Sequence, residues 1–256
     1  MKDIRWIDNN ICQYIFIESE DKPNIDVNIT VLINGKKAML IDTAFANQAS
    51  MVKNDLLSKG ITVDEIILSH YHPDHAAGAT MLPDAILSCS VHYEDNFNNC
   101  NNVWDKEHDY RKAQQIIFDN TTKRYGDFTL AFSETPGHSK CSIMTLIDDR
   151  IAHIGDLLMF DVSGKPILPY ICDDGSFEEH MNSLKLLKTL GAEVFILSHG
   201  KHLVGKDEIN HAIDMRIHYL ESVLKSNGEA DLEEVLIGGS DKWAFIEWHR
   251  YNLMNL

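Results

Sequence analysis

Six consecutive residues, His70-Tyr71-His72-Pro73-Asp74-His75, put three imidazoles and a carboxylate into one short run. That donor set suits zinc or another borderline divalent ion, because imidazole nitrogen and carboxylate oxygen are both good ligands for it. Two residues apart in an extended segment, His70 and His72 point to the same side. Asp74 and His75 follow as the chain turns toward a helix, so they can face a different point, and one motif can serve two ions. Taken singly, each of the 13 histidines is by default structural or solvent-facing. His92, His108, His180, His211, His218 and His249 stay with that plain reading. Three histidines and an aspartate converging after a buried strand have few structural uses.

The elements around the motif supply the position. Residues 65–69 (Glu-Ile-Ile-Leu-Ser) read as a short buried strand that runs straight into it. A strand ending in a polar cluster places side chains at the carboxyl edge of a sheet, a usual place for ligands in α/β proteins. The first forty residues read as a β-meander, with Asn34-Gly35 as a hairpin signal. A helix is expected over 48–58, ended by Gly60. Strands are expected again at 85–91, 128–132, 142–147, 151–154 and 194–197, and a helix over 111–118. Ser176-Phe177-Glu178-Glu179 has the capping-box pattern and opens a helix ending at Gly191. Residues 162–175, with two prolines and two glycines, form a loop. Meander followed by strand–helix alternation, twice over, predicts an αββα sandwich of two mixed β-sheets with outer helices. The chain reads as one domain over 1–256 with a helical segment from about 206. In that segment Ile209, Ile213, Ile217, Leu220 and Leu224 form one apolar stripe, which faces the core; a homodimer interface is the alternative.

Four further motifs complete the pattern: Leu40-Ile41-Asp42-Thr43, Thr135-Pro136-Gly137-His138-Ser139, Ile154-Gly155-Asp156 and Ser198-His199-Gly200. Together with H-x-H-x-D-H, and in this order, they resemble the metallo-β-lactamase superfamily over roughly residues 28–224. The resemblance implies a two-metal centre. His70, His72 and His138 would hold one ion, Asp74, His75 and His199 the other, and Asp156 would bridge them. The ions would be zinc, with iron or manganese as alternatives. Asp42 would orient a ligand by hydrogen bond; its plain alternative is a turn cap. The implied activity is hydrolysis of an ester, thioester, lactone or amide of a small molecule, by a hydroxide shared between ions ~3.5–4 Å apart. Asp74 would also act catalytically, aiming the nucleophile and relaying a proton. His153 and His202 are read as non-ligands, although His202 could reach substrate.

Departures from the family narrow the reading. Ala44 stands where the family often has glycine. Asp156 stands where one large class of zinc β-lactamases has cysteine. Leu157 to Phe160 carry none of the tyrosine that acyl-homoserine lactonases place after the bridging aspartate. The competing reading is a redox enzyme on the same fold, either di-iron or a mononuclear-iron persulfide dioxygenase. His72 stands where flavodiiron proteins have glutamate, and the chain has no room for their flavodoxin domain.

A net charge of −16 and the lack of a basic stripe oppose binding to nucleic acid. No apolar run approaches the ~20 residues of a membrane span, and the start shows no signal-peptide pattern. The five cysteines, Cys12, Cys89, Cys100, Cys141 and Cys172, include no C-x-x-C pair and suggest a reducing compartment, so the expected location is cytoplasmic. Substrate specificity is expected to reside in the loops 95–120 and 161–174 and in the helical C-terminus.

Overall fold

β-Branched and aromatic residues dominate the early chain, and they pair as an antiparallel meander: β1 (Asp3–Asp8), β2 (Ile11–Ile17), β3 (Asp26–Asn34) and β4 (Lys37–Ile41). The structure, a computed structural model, describes residues 1–17 and 24–256. Gly35, at φ 62°, makes the two-residue turn between β3 and β4, where Asn34 pairs with Lys37.

After β4 the chain changes period. The helix α1 (Ala46–Ser58) returns it so that β5 (Thr62–Ile67) lies parallel to β4. The short helices α2 (Pro73–Ala76) and α3 (Glu94–Asn99) flank β6 (Ile86–Ser90), and β7 (Gln115–Ile117) closes a seven-stranded sheet in sequential order. The second sheet has six strands: β8 (Thr121–Tyr125), β9 (Phe128–Glu134), β10 (Ile143–Ile147), β11 (Ile151–His153), β12 (Val194–Ile196) and β13 (Leu203–Val204). Its β8–β11 meander is antiparallel. The helix α4 (Phe177–Leu187) then carries the chain over, so that β12 pairs parallel with β11.

Three apolar layers hold this together. Between the sheets, Leu32, Met39, Ile41 and Ile67 pack with Leu130, Phe132, Ile143 and Ile196. On the outside of the first sheet, Val52 and Leu56 of α1 meet Val27, Ile29 and Leu40. On the outside of the second, α4 and α5 (Lys206–Lys225) supply Phe177, Leu184, Ile209, Ile213 and Leu220 against Ala152 and Phe195. Each such side chain contributes roughly 1.5–3 kcal/mol by leaving water. The order helix, sheet, sheet, helix is the αββα sandwich, and both sheets are mixed. The α5 stripe faces inward, with Ile217 and Leu224 packed on the same layer. Beyond it lie α6 (Leu232–Val235) and α7 (Trp248–Met254).

The helix expected over 111–118 does not form. Gln115, Ile116 and Ile117 instead pair parallel with Ser88, Cys89 and Ser90. Arg111 donates to the carbonyls of Ala79 (3.1 Å), Leu82 (2.5 Å) and Ala85 (2.8 Å), which fixes the approach to the sheet edge. Strand pairing here overrides local helical preference. Thr121–Tyr125, within a segment that shows little pattern in the sequence, is likewise a strand, with Thr121 opposite Phe132. All five cysteines are free and buried. Among the described residues no helix is long and apolar enough to cross a membrane.

Candidate metal centre

The parallel pairs β4–β5 and β11–β12 bring four chain exits to one edge of the sandwich. Asp42 follows β4, Ser69 to His75 follow β5, Asp156 follows β11, and Ser198-His199 follow β12. His138 arrives on the β9–β10 connection. That connection needs Gly137, whose φ is +133° and where an added Cβ would stand 2.1 Å from the backbone of His180.

Each imidazole is anchored through one ring nitrogen and points the other inward. The His75 Nδ1–H donates to Asp42 (2.9 Å), that of His138 to the Tyr170 carbonyl (2.8 Å) and that of His199 to the Asp26 carbonyl (2.6 Å). The Ser69 hydroxyl donates to Asp42 (2.8 Å), so it accepts from His70 Nδ1 (3.1 Å). For His72 the outward atom is Nε2, 3.6 Å from Cys172 Sγ. The inward nitrogens of His70, His72 and His138 then crowd together: His72 Nδ1 is 2.9 Å from His70 Nε2 and 3.1 Å from His138 Nε2. With the ring protons of His70 and His138 used on their anchors, both of their inward nitrogens present lone pairs to the same point beside His72 Nδ1. A cation between them turns repulsion into coordination.

A second group stands beside the first. His199 Nε2 lies 3.3 Å from Asp74 Oδ2, and His75 Nε2 lies 3.6 Å from it. Asp156 Oδ2 is 3.4 Å from both His75 and His199, 3.6 Å from His138 and 3.9 Å from His70. Ligands about 2.0–2.1 Å from a tetrahedral zinc are about 3.3–3.4 Å apart; the His199–Asp74, Asp156–His75 and Asp156–His199 edges match that spacing, and those from Asp156 to His138 and His70 are longer. His75 Nε2 and Asp156 Oδ1 are buried with no hydrogen-bond partner, and each such atom is costly to leave bare. The donor set therefore fits divalent ions, with Asp156 Oδ2 shared by both groups.

Electrostatics sort the histidines the same way. Burial, with repulsion among the rings, pushes His70 and His72 down, His72 to about 3, and burial does so at His138. Burial also opposes charge on His75 and His199. There the surrounding carboxylates outweigh it, led by Asp74 at His75 and Asp156 at His199, and both are raised.

All seven residues expected to ligate are brought together. Asp42, buried completely, holds four groups: the Ser69 amide (2.8 Å), the hydroxyls of Ser69 (2.8 Å) and Ser198 (3.0 Å), and His75. Its φ of 63° and that of Ala44, 50°, lie in the left-handed region that favours glycine. His153 is buried, with Nε2 4.0 Å from Asp42, behind the centre. His202 is absent from the cavity wall.

A cavity of about 480 Å³ opens over Asp74 and Asp156. Of the segments expected to set specificity, 161–174 supplies Tyr170 and the helical C-terminus supplies Phe245, Trp248 and Tyr251, whereas 95–120 supplies none of the wall; Ile25, Phe45 and Met159 come from segments without a sequence signal. The spacing 248, 251 was the available signal, since it puts two aromatics on one side of a helix; Phe245, at φ 57°, precedes α7. The anchors Asp26 and Tyr170 act through backbone carbonyls, which carry no sequence signal.

The family model described as the metallo-beta-lactamase superfamily matches residues 24–199. The chain is 26% identical over 197 residues to the atrochrysone carboxyl ACP thioesterase of Aspergillus fumigatus, covering 74% of this chain and 41% of that protein. It is 25% identical over 138 residues to the protein of the same name from Passalora fulva, covering 52% of this chain and 38% of that one. The chain thus spans less than half the length of either relative. A metallo-beta-lactamase from Pontibacter korlensis superposes with a TM-score of 0.69 at 15% identity, covering 83% of this chain and 97% of that one; at that identity the likeness carries the fold alone.

Proposed function

The chain belongs to the metallo-β-lactamase superfamily, and on that premise we propose that it is a two-metal hydrolase of a small carboxylic ester or thioester, with zinc as the ion. The observation that carries this is the single oxygen, Asp156 Oδ2, within 3.4–3.9 Å of four inward-facing imidazoles that belong to two separate ligand groups. His70, His72 and His138 would hold one ion, and Asp74, His75 and His199 the other. When bound, the ions supply a nucleophilic water at neutral pH and polarise the carbonyl under attack.

The chain's own residues do the rest. Asp42, Ser69, Asp26 and Tyr170 fix the imidazoles, so that no reorganisation is needed at the moment of reaction. Asp74 lines the cavity with its side chain 22% exposed. It can accept a proton from the attacking water and hand it to the leaving group. Ile25, Phe45 and Met159 limit water around the scissile bond. Among the described residues lining the cavity there is no Lys or Arg, which favours an uncharged acyl group over a phosphoester. The named activity of the two fungal relatives points to thioesters in particular. Five buried free thiols favour action in a reducing compartment such as the cytosol.

A screen of the zinc-loaded protein over thioesters, esters, lactones, β-lactams and phosphodiesters, with metal analysis of the same sample, tests this. Two zinc ions per chain with thioester or ester turnover are expected. One iron per chain with oxygen consumption would replace hydrolysis by the redox reading.

A further inference from the structure

The matched family region ends at residue 199, yet the far wall of the cavity is built by residues 245–251. Phe245 and Trp248 pack with ring centroids 4.9 Å apart, and Trp248 and Tyr170 are also 4.9 Å apart. Tyr170 in turn lies 6.1 Å from the His138 ring, and Tyr251 adds a further, 54%-exposed ring at the rim. Phe45 lines the same cavity. This surface leads from solvent to the metal centre and is aromatic along that path.

The wall is also held in place. Asn252 of α7, fully buried, donates to the Pro169 carbonyl (2.7 Å) and accepts from the Ile171 amide (3.0 Å), while Asn255 donates to the Ile171 carbonyl (2.9 Å). The loop so clamped carries Tyr170, whose ring joins the wall and whose carbonyl anchors His138. Aromatic surface and metal ligand are therefore fixed by one set of hydrogen bonds. A preformed, rigid aromatic surface costs little to bind against, and it favours flat π-systems, which stack, over flexible chains, which must be ordered.

We propose that Phe245, Trp248 and Tyr251, with Tyr170, select the substrate, and that the group they select is a planar aromatic acyl group, its carbonyl directed to the Asp74–Asp156 end. This rests on the hydrolase reading above. Stacking on one ring face is worth roughly 2- to 12-fold in affinity, so two faces give about tenfold or more.

The test has two arms on the zinc-loaded protein. The first measures binding of 2-naphthoate and octanoate, acids of similar hydrophobicity, by calorimetry and tryptophan fluorescence. The second measures hydrolysis of the matching naphthoyl and octanoyl thioesters. The wild type is expected to bind naphthoate about tenfold more tightly and to show the same preference in kcat/KM. Trp248→Ala should bring the ratio close to one at unchanged zinc content, Trp248→Phe should restore most of it, and Tyr251→Ala, at an exposed position, should lower it in part. Equal binding of the two acids by the wild type, or an unchanged ratio in both Trp248→Ala and Tyr251→Ala, overturns the proposal. Loss of both thioester activities with the binding preference intact would fault the hydrolase reading and leave the aromatic site standing.

Discussion

Asp42 Oδ2 lies 2.9 Å from His75 Nδ1, and this contact aims the other nitrogen of His75 toward Asp74 and Asp156. The same carboxylate oxygen accepts from the hydroxyls of Ser69 and Ser198, which follow β5 and β12. One buried aspartate thus ties the exits of strands from both sheets to a ring that faces the centre. Asp42→Asn keeps the shape and removes the charge. Zinc affinity at the site served by His75 is expected to fall about 10- to 100-fold, as for other groups that orient a ligand. Competition against a chromophoric chelator measures this; two ions held with wild-type affinity would remove Asp42 from that role.

Asp74 separates two roles of a carboxylate at a helix start. As an N-terminal charge alone it would be worth at most ~1 kcal/mol, and its replacement would barely touch turnover. As a proton relay facing the cavity, its loss should lower kcat by ~10²-fold or more. Steady-state kinetics of Asp74→Asn, taken with its zinc content, distinguish these. Wild-type kcat at full zinc content would eliminate the relay.

Asn252 is a long way in sequence from any ligand, but it closes the C-terminal segment onto the loop that anchors His138. Asn252→Ala would leave the Ile171 amide and the Pro169 carbonyl buried without their partner. A loss of about 2–4 kcal/mol in unfolding free energy is expected, since each buried unpaired group costs ~1–3 kcal/mol. Urea denaturation of the two proteins reads it directly, and a difference below ~0.5 kcal/mol would show the clamp to be unimportant.

Asp105, outside the ligand set, gives a pH dependence of stability. Burial opposes its charge, but the Tyr110 hydroxyl (2.5 Å), the Glu107 amide (2.8 Å) and His108 (2.6 Å) outweigh that and hold its carboxyl below the ordinary value. A lowered carboxylate stabilises the fold fully above its unfolded value, about 3.9, and this contribution is lost as pH falls through the lower folded value. The wild type should therefore exceed Asp105→Asn in stability at pH 6, and the gap should narrow below about pH 4. Denaturation of both proteins across that range measures the gap; a constant difference would contradict the assignment.

Legibility of the sequence followed the kind of signal each feature carries. His70 to His75 are visible because ligand chemistry restricts residue type and the preceding strand fixes direction, whereas His138, Asp156 and His199 are legible only through the ordered motifs that resemble the metallo-β-lactamase superfamily. β3, β4, β5 and α5 announce themselves by apolar period. β7 does not, because Gln115–Ile117 becomes a strand only when Ser88–Ser90 is there to pair with it. The anchors of His138 and His199 are backbone carbonyls, which any residue provides. The aromatic wall needed the α7 clamp to be known, since nothing local shows that Trp248 reaches back to Tyr170.

Metal content of Asp156→Ala against the wild type tests the account most directly. The shared oxygen of Asp156 joins the two ligand groups, so the wild type is expected to bind two zinc ions per chain and the variant one or none, with the fold retained by circular dichroism. An Asp156→Ala protein that keeps two zinc ions per chain at full occupancy would contradict a centre built around that oxygen.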